Sequence, residues 1–221
     1  MGRSLLQYAL LLFFAVGVST ARALPLVEFL GGDDRQISAG QDCSTFATPP
    51  LPLFQPWNAT VNVPASGTFG PITVSQDSQM DLLGGGNDGM EVWAIGSATN
   101  LADASLCANS TFLLTFEVHD IVSWALTADI TSPLADYNAF VRLGEGPTFV
   151  DPVFEFGSDG MHAASGTLSP GTYQLRAGTG GFGTEGYDFH FILTPEPGVA
   201  LMLGVGLLGL AVFGRARPKT G

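Results

Sequence analysis

Thr172-Tyr173-Gln174-Leu175-Arg176 and Tyr187-Asp188-Phe189-His190-Phe191-Ile192 are the two stretches that decide the fold class. In the second, Tyr187, Phe189 and Phe191 fall on one side of an extended chain and Asp188 and His190 on the other, the period-2 pattern of a half-buried strand. Gly178, Gly180, Gly181, Gly183 and Gly186 lie between the two stretches, and we read that segment as a loop.

The same signal recurs towards the N-terminus. Ala59–Val63 alternates and is followed by Pro64. Met90–Ile95 alternates less cleanly and is expected to stop at Gly96. Phe112–Val118, Ile121–Ile130, Asn138–Leu143 and Phe149–Phe156 supply further strands. No amphipathic helix interrupts them. Several short strands joined by Gly, Pro, Asn and Asp turns favour an all-β sandwich or barrel. Phe46–Pro56, with Pro49, Pro50, Pro52 and Pro56, reads as a stiff irregular connector.

Composition agrees. Only 13% of the 221 residues are charged, and glycine is abundant at 29. Between the chain ends, Arg35, Arg142 and Arg176 stand against all twenty acidic residues, leaving that region near −17. Such a surface repels phosphate backbones, so nucleic acid is not an expected partner.

The ends read as targeting segments. Residues 1–23 have the form of a secretory signal peptide: Arg3, an apolar run from Leu5 to Val18, then Ala21-Arg22-Ala23. Signal peptidase would cut after Ala23, giving a mature start at Leu24. At the other end, residues 198–214 carry no charge and would form a helix about 25 Å long, at the lower limit for a hydrocarbon core of roughly 30 Å. Arg215, Arg217 and Lys219 follow, a basic tail over 215–219 that keeps this side cytoplasmic and the body of the chain outside. Thr194-Pro195-Glu196-Pro197, just before the helix, reads as a stiff, accessible stalk.

Pro195-Glu196-Pro197, a short glycine-rich span and then Arg215 and Arg217 together resemble the PEP-CTERM sorting signal of Gram-negative bacteria, over 195–217. That resemblance implies processing by an exosortase near the Pro-Glu-Pro motif, with passage from an inner-membrane-tethered, periplasmic body to the cell surface or exterior. It also implies association with exopolysaccharide or biofilm. Gly166–Leu175, beside an aromatic last strand, is similar to the turn-and-strand element near the end of jelly-roll-like domains in exported bacterial proteins. The expected organisation is therefore a signal peptide over 1–23, a jelly-roll-like β-sandwich over 24–194 and the sorting segment with its single transmembrane helix.

Candidate chemistry is sparse. Cys43 and Cys107 are the only cysteines, and in an oxidising compartment the pair is expected as a disulfide. His119, His162 and His190 show no zinc-ligand spacing. Gly157-Ser158-Asp159-Gly160 reads as a turn, so no catalytic residue is assigned. Leu83–Met90 resembles one degenerate copy of the calcium-binding nonapeptide of repeats-in-toxin proteins. A glycine-rich turn is the simpler reading. Asp77, Asp81, Asp88 and Glu91 are the calcium candidates, since hard cations need clustered oxygen ligands.

The leading functional reading is an exported structural or interaction protein without enzymatic activity or obligate cofactor. The second is a carbohydrate- or calcium-dependent binding module, in which Trp57, Trp93 and Trp124 would gather on one exposed face. Buried tryptophans would favour the structural reading. An envelope hydrolase is the third, and would need convergent carboxylates in a concave site.

Overall fold

The computed structural model describes residues 25–31, 34–50, 54–65, 70–101, 106–132, 139–146 and 151–196. Among them thirteen strands form two antiparallel sheets, with only two short 3-10 turns, at Gln41–Cys43 and Gly84–Gly86. The strands are β1 (Val27–Leu30), β2 (Gln36–Gly40), β3 (Thr45–Ala47), β4 (Trp57–Val63), β5 (Ile72–Leu83), β6 (Gly89–Asn100), β7 (Cys107–Val118), β8 (Val122–Thr131), β9 (Phe140–Glu145), β10 (Asp151–Phe156), β11 (Gly160–Leu168), β12 (Gly171–Gly180) and β13 (Gly183–Pro195).

One sheet runs β10-β9-β12-β7-β2-β3, with β1 also paired to β7; the other runs β11-β8-β13-β6-β5-β4. From β6 onward the chain passes repeatedly from one sheet to the other. The last two strands enter the sheet interiors, β12 between β9 and β7 and β13 between β8 and β6. The expected all-β sandwich is what the chain forms.

Period-2 side chains build the core. Phe112, Leu114 and Phe116 of the first sheet face Phe189, Phe191 and Leu193 of the second, all buried. The Phe112 and Phe189 rings meet edge-on at 5.2 Å, a favoured arrangement of ring quadrupoles. A second cluster, including Ile37, Trp57, Val61, Ile72 and Val74, closes the end formed by β2, β4 and β5.

Several expected boundaries shift for identifiable reasons. Strand β6 does not stop at Gly96 but continues to Asn100. A Cβ at Gly96 would run into the Tyr187 ring opposite it, so glycine is what lets the aromatic lie across the strand. The expected glycine loop shrinks to Gly181 and Phe182, because Gly178 and Gly180 belong to β12 and Gly183 and Gly186 to β13. Thr194 and Pro195 are not stalk: they end β13, paired with Ser123 and Val122. Proline is tolerated there because the pairing with β6 has already ended at Leu193.

Cys43 and Cys107 form the expected disulfide, with Cα atoms 5.2 Å apart. It ties the turn after β2 to the start of β7. Arg35, 1% exposed, donates to Ser78 Oγ at 2.9 Å and to the Gln55 carbonyl at 2.7 Å, pinning the end of the connector to β5.

Candidate functional site

The outer face of the seven-stranded sheet carries a hollow of about 470 Å³ lined by Asn109, Thr111, Phe140 and Gly178 to Gly181. That volume lies within the range of small-ligand sites, roughly 300–1,000 Å³. Strand pairing explains its shape. Gly178 stands between Phe140 on β9 and Thr111 on β7, and Gly180 stands opposite Asn109. Neither glycine projects a side chain, so the middle strand forms a low floor between side-chain walls. A Cβ on Gly178 would press on the Phe140 ring at 3.0 Å, and one on Gly180 would strike the Asn109 amide.

The walls are held in place. Asn109 Nδ2 donates to the Cys107 sulfur at 3.1 Å, so the disulfide adjoins the hollow on the same face of β7. The Arg142 guanidinium lies over the Phe140 ring, 4.6 Å from its centre, and fixes that ring across the glycine. Thr179, only 4% exposed, gives the hollow its backbone, while its side chain lies on the core face with Ala177 and Leu175. Phe46, in register with Ser38 and through it with Asn109, extends this face and is 63% exposed. Phe182, also exposed, follows Gly181.

The second sheet presents a different outer face. Trp93 on β6 sits between His190 and Gln79, half-buried, and Ile95 between Asp188 and Asp77. His190 Nε2 is 2.7 Å from Glu91 Oε1. Partial burial, and after it the Asp129 carboxylate opposite, raise the Asp188 carboxyl above its ordinary range, while His190 acts in the other direction.

The residues singled out in the sequence are dispersed. Trp57 and Trp124 are core residues, each 6% exposed, so the three tryptophans form no common face. Asp81 and Glu91 are cross-strand partners, Asp77 lies further along β5, and Asp88 sits in the turn between β5 and β6. Among the described residues no three His, Cys, Asp or Glu side chains are gathered so as to hold a metal ion, and these four therefore make no calcium cage. The nonapeptide-like stretch is a hairpin turn. Gly86, with φ of 90°, packs where a Cβ would strike the Val27 carbonyl.

Glu196 is exposed, and its Oε1 accepts a 2.8 Å hydrogen bond from Ser123 Oγ. Pro197, Arg215 and Arg217, the expected cleavage site at Ala21, Ala23 and Leu24, and the expected helix over 198–214 lie outside the described residues. Among the described residues no helix is long and apolar enough to cross a membrane.

Sequence reasoning missed the hollow. Its floor is made of glycines that read as loop, and its walls come from β7 and β9, which nothing local in the sequence joins.

No protein-family model matches the chain, and no curated protein matches it. Among solved structures, a carbohydrate-binding module in complex with β-1,4-galactotriose is similar at 15% identity, over 59% of this chain and 92% of that one, with a TM-score of 0.27.

Proposed function

We propose that the chain is an exported interaction protein of the cell surface or extracellular matrix, and that its sandwich holds exopolysaccharide in the hollow on the seven-stranded sheet. The hollow carries this reading. It is shallow, it lies on regular strands, and it combines the Asn109 amide and the Thr111 hydroxyl with neighbouring exposed aromatic surface at Phe46. Sugars present alternating hydroxyl and apolar C–H surface, which such a mixture of polar groups and rings complements. The site acts by binding, without catalysis or a cofactor.

The finer assignments belong to the same proposal. The sandwich is a jelly roll: the orders β11-β8-β13-β6 and β10-β9-β12-β7 support this, since each sheet takes strands from both halves of an eight-strand run. Export begins at the signal peptide. Exosortase then processes the chain at Pro195-Glu196-Pro197, aided by the Arg215 and Arg217 tail. The disulfide supports an oxidising, extracytoplasmic destination.

Co-sedimentation of the purified full chain with host exopolysaccharide tests the binding. Asn109→Ala with Thr111→Ala is expected to abolish it, and Trp93→Ala to leave it intact. Binding that survives the first pair and is lost with Trp93→Ala overturns the assignment of the site. A second reading, a passive structural protein, draws on the burial of Trp57 and Trp124. Absence of co-sedimentation would favour it.

A further inference from the structure

Resting on that reading of the hollow, the pairing of β9 with β12 narrows the class of glycan. Between residues 24 and 194 the chain has three basic side chains, Arg35, Arg142 and Arg176, and no lysine. Arg35 is buried beneath the second core cluster's edge, with its guanidinium turned to Ser78 and Gln55. The cations that reach the surface of this strongly acidic body are therefore two arginines. They are not spread over it. Arg142 and Arg176 are direct cross-strand partners, two residues along the strands from Phe140 and Gly178 and on the same face as this wall and floor of the hollow.

Like charges placed directly opposite each other on a sheet are unfavourable unless something of opposite sign lies between them. Partial burial, and then repulsion from Arg142, push the Arg176 guanidinium below its ordinary range. Both groups are nevertheless positioned. Arg142 is stacked over Phe140, and its Nη1 is 3.7 Å from the Glu155 carboxylate, a long and half-exposed ion pair. Arg176 donates through Nε at 3.0 Å and Nη2 at 2.6 Å to Gln174 Oε1, and Gln174 Nε2 in turn donates to Thr115 Oγ1 at 3.2 Å. An amide that grips one edge of a planar guanidinium sets the direction of the whole fork.

We propose that Arg142 and Arg176 receive the carboxylate of an acidic sugar seated in the hollow, so that the ligand is a uronate-bearing polysaccharide rather than a neutral one. A carboxylate bridging two guanidiniums forms charge-assisted bonds at about 2.7–2.9 Å, well inside the Glu155 distance, and relieves the repulsion between the arginines. The adjoining floor of Gly178 and Gly180 leaves room for the ring that bears it, beside Asn109 and Thr111. The position of the carboxylate follows from the surroundings: in a body dominated by carboxylates, Glu155 beside Arg142 among them, this pair is where two surface arginines stand together.

Titration calorimetry on the full chain tests this with an oligogalacturonate and with the same oligosaccharide after reduction of its carboxyl groups, so that no substitution is needed for the first comparison. The uronate is expected to bind about 10- to 100-fold more tightly, the worth of one or two charge-assisted hydrogen bonds. Arg176→Gln and Arg142→Gln are expected to lose that preference while still binding the reduced sugar, and Arg176→Lys to recover part of it, because lysine restores the charge without the fork. Equal affinity for the two oligosaccharides, or an unchanged preference in both glutamine variants, overturns the uronate assignment and leaves the glycan reading standing. Failure to bind either sugar or the host polysaccharide removes both. An acidic peptide that binds as tightly as the uronate also overturns the choice of ligand class.

Discussion

Replacing Cys43 and Cys107 together by alanine removes the cross-link that adjoins the proposed site. The bridge spans a sequence separation of 64 residues. Closing a loop of that length restricts the unfolded chain by about 4 kcal/mol at 25 °C. Part of this is offset in the native state: Cys43 has φ of 54°, a left-handed conformation that costs a non-glycine residue about 1–2 kcal/mol. Freed of the bridge, that turn can relax, so the expected net loss is about 2–3 kcal/mol. For a domain of this size each kcal/mol moves the melting temperature by roughly 2–4 °C, giving a drop of about 5–10 °C in scanning calorimetry. Asn109 also loses the sulfur that its amide engages, so glycan affinity should fall alongside stability. Two titratable thiols in the unreduced, denatured wild type would refute the reasoning outright. A melting temperature within about 2 °C of wild type would show that the loop is not what the bridge constrains.

Three further outcomes are expected. Gly96→Ala places a methyl group against the Tyr187 ring, whose hydroxyl lies 3.3 Å from Ser110 Oγ inside the sandwich; overpacking of this kind costs about 1–3 kcal/mol, readable in urea unfolding, and an unchanged midpoint would mean that the ring is free to move aside. Asp188→Asn should raise stability at neutral pH and have little effect in strong acid. The folded carboxyl titrates above its unfolded value, so its penalty is absent below the unfolded range, grows as pH rises and is fully in force above the folded pKa; equal melting shifts at pH 3 and pH 7 would contradict this. Intact mass of the protein from its native host should lack the C-terminal segment only when exosortase is present, and a retained tail in both strains would make that segment a plain anchor.

How much of this could be read in the sequence depended on where side chains point. Strand β13 was legible because Tyr187, Phe189 and Phe191 all enter the core. Strand β5 was not: its inward row includes Gln76 and Ser78 among Ile72, Val74 and Met80, and Ser78 is tolerated inside because the distant Arg35 bonds to it. The edge strand β11 fully buries only Leu168, so its residue types, Gly-Met-His-Ala-Ala-Ser-Gly-Thr-Leu, carry no apolar alternation. Trp57 and Trp124 are core, as large aromatics usually are, and the hollow is left to glycines and a phenylalanine. Arg142 and Arg176 are far apart in sequence, and only the β9–β12 register sets them side by side. The expectations of export and sorting rest on the chain ends, whereas the site depends on pairings between strands that are not sequence neighbours.

Amide hydrogen exchange on the full chain, with and without saturating host polysaccharide, locates the face that holds the glycan. Slowed exchange confined to Asn109–Thr111 and Gly178–Gly181 is expected, with the β6 amides around Trp93 unchanged. Protection centred on Trp93 and His190, or none on either sheet, would contradict it.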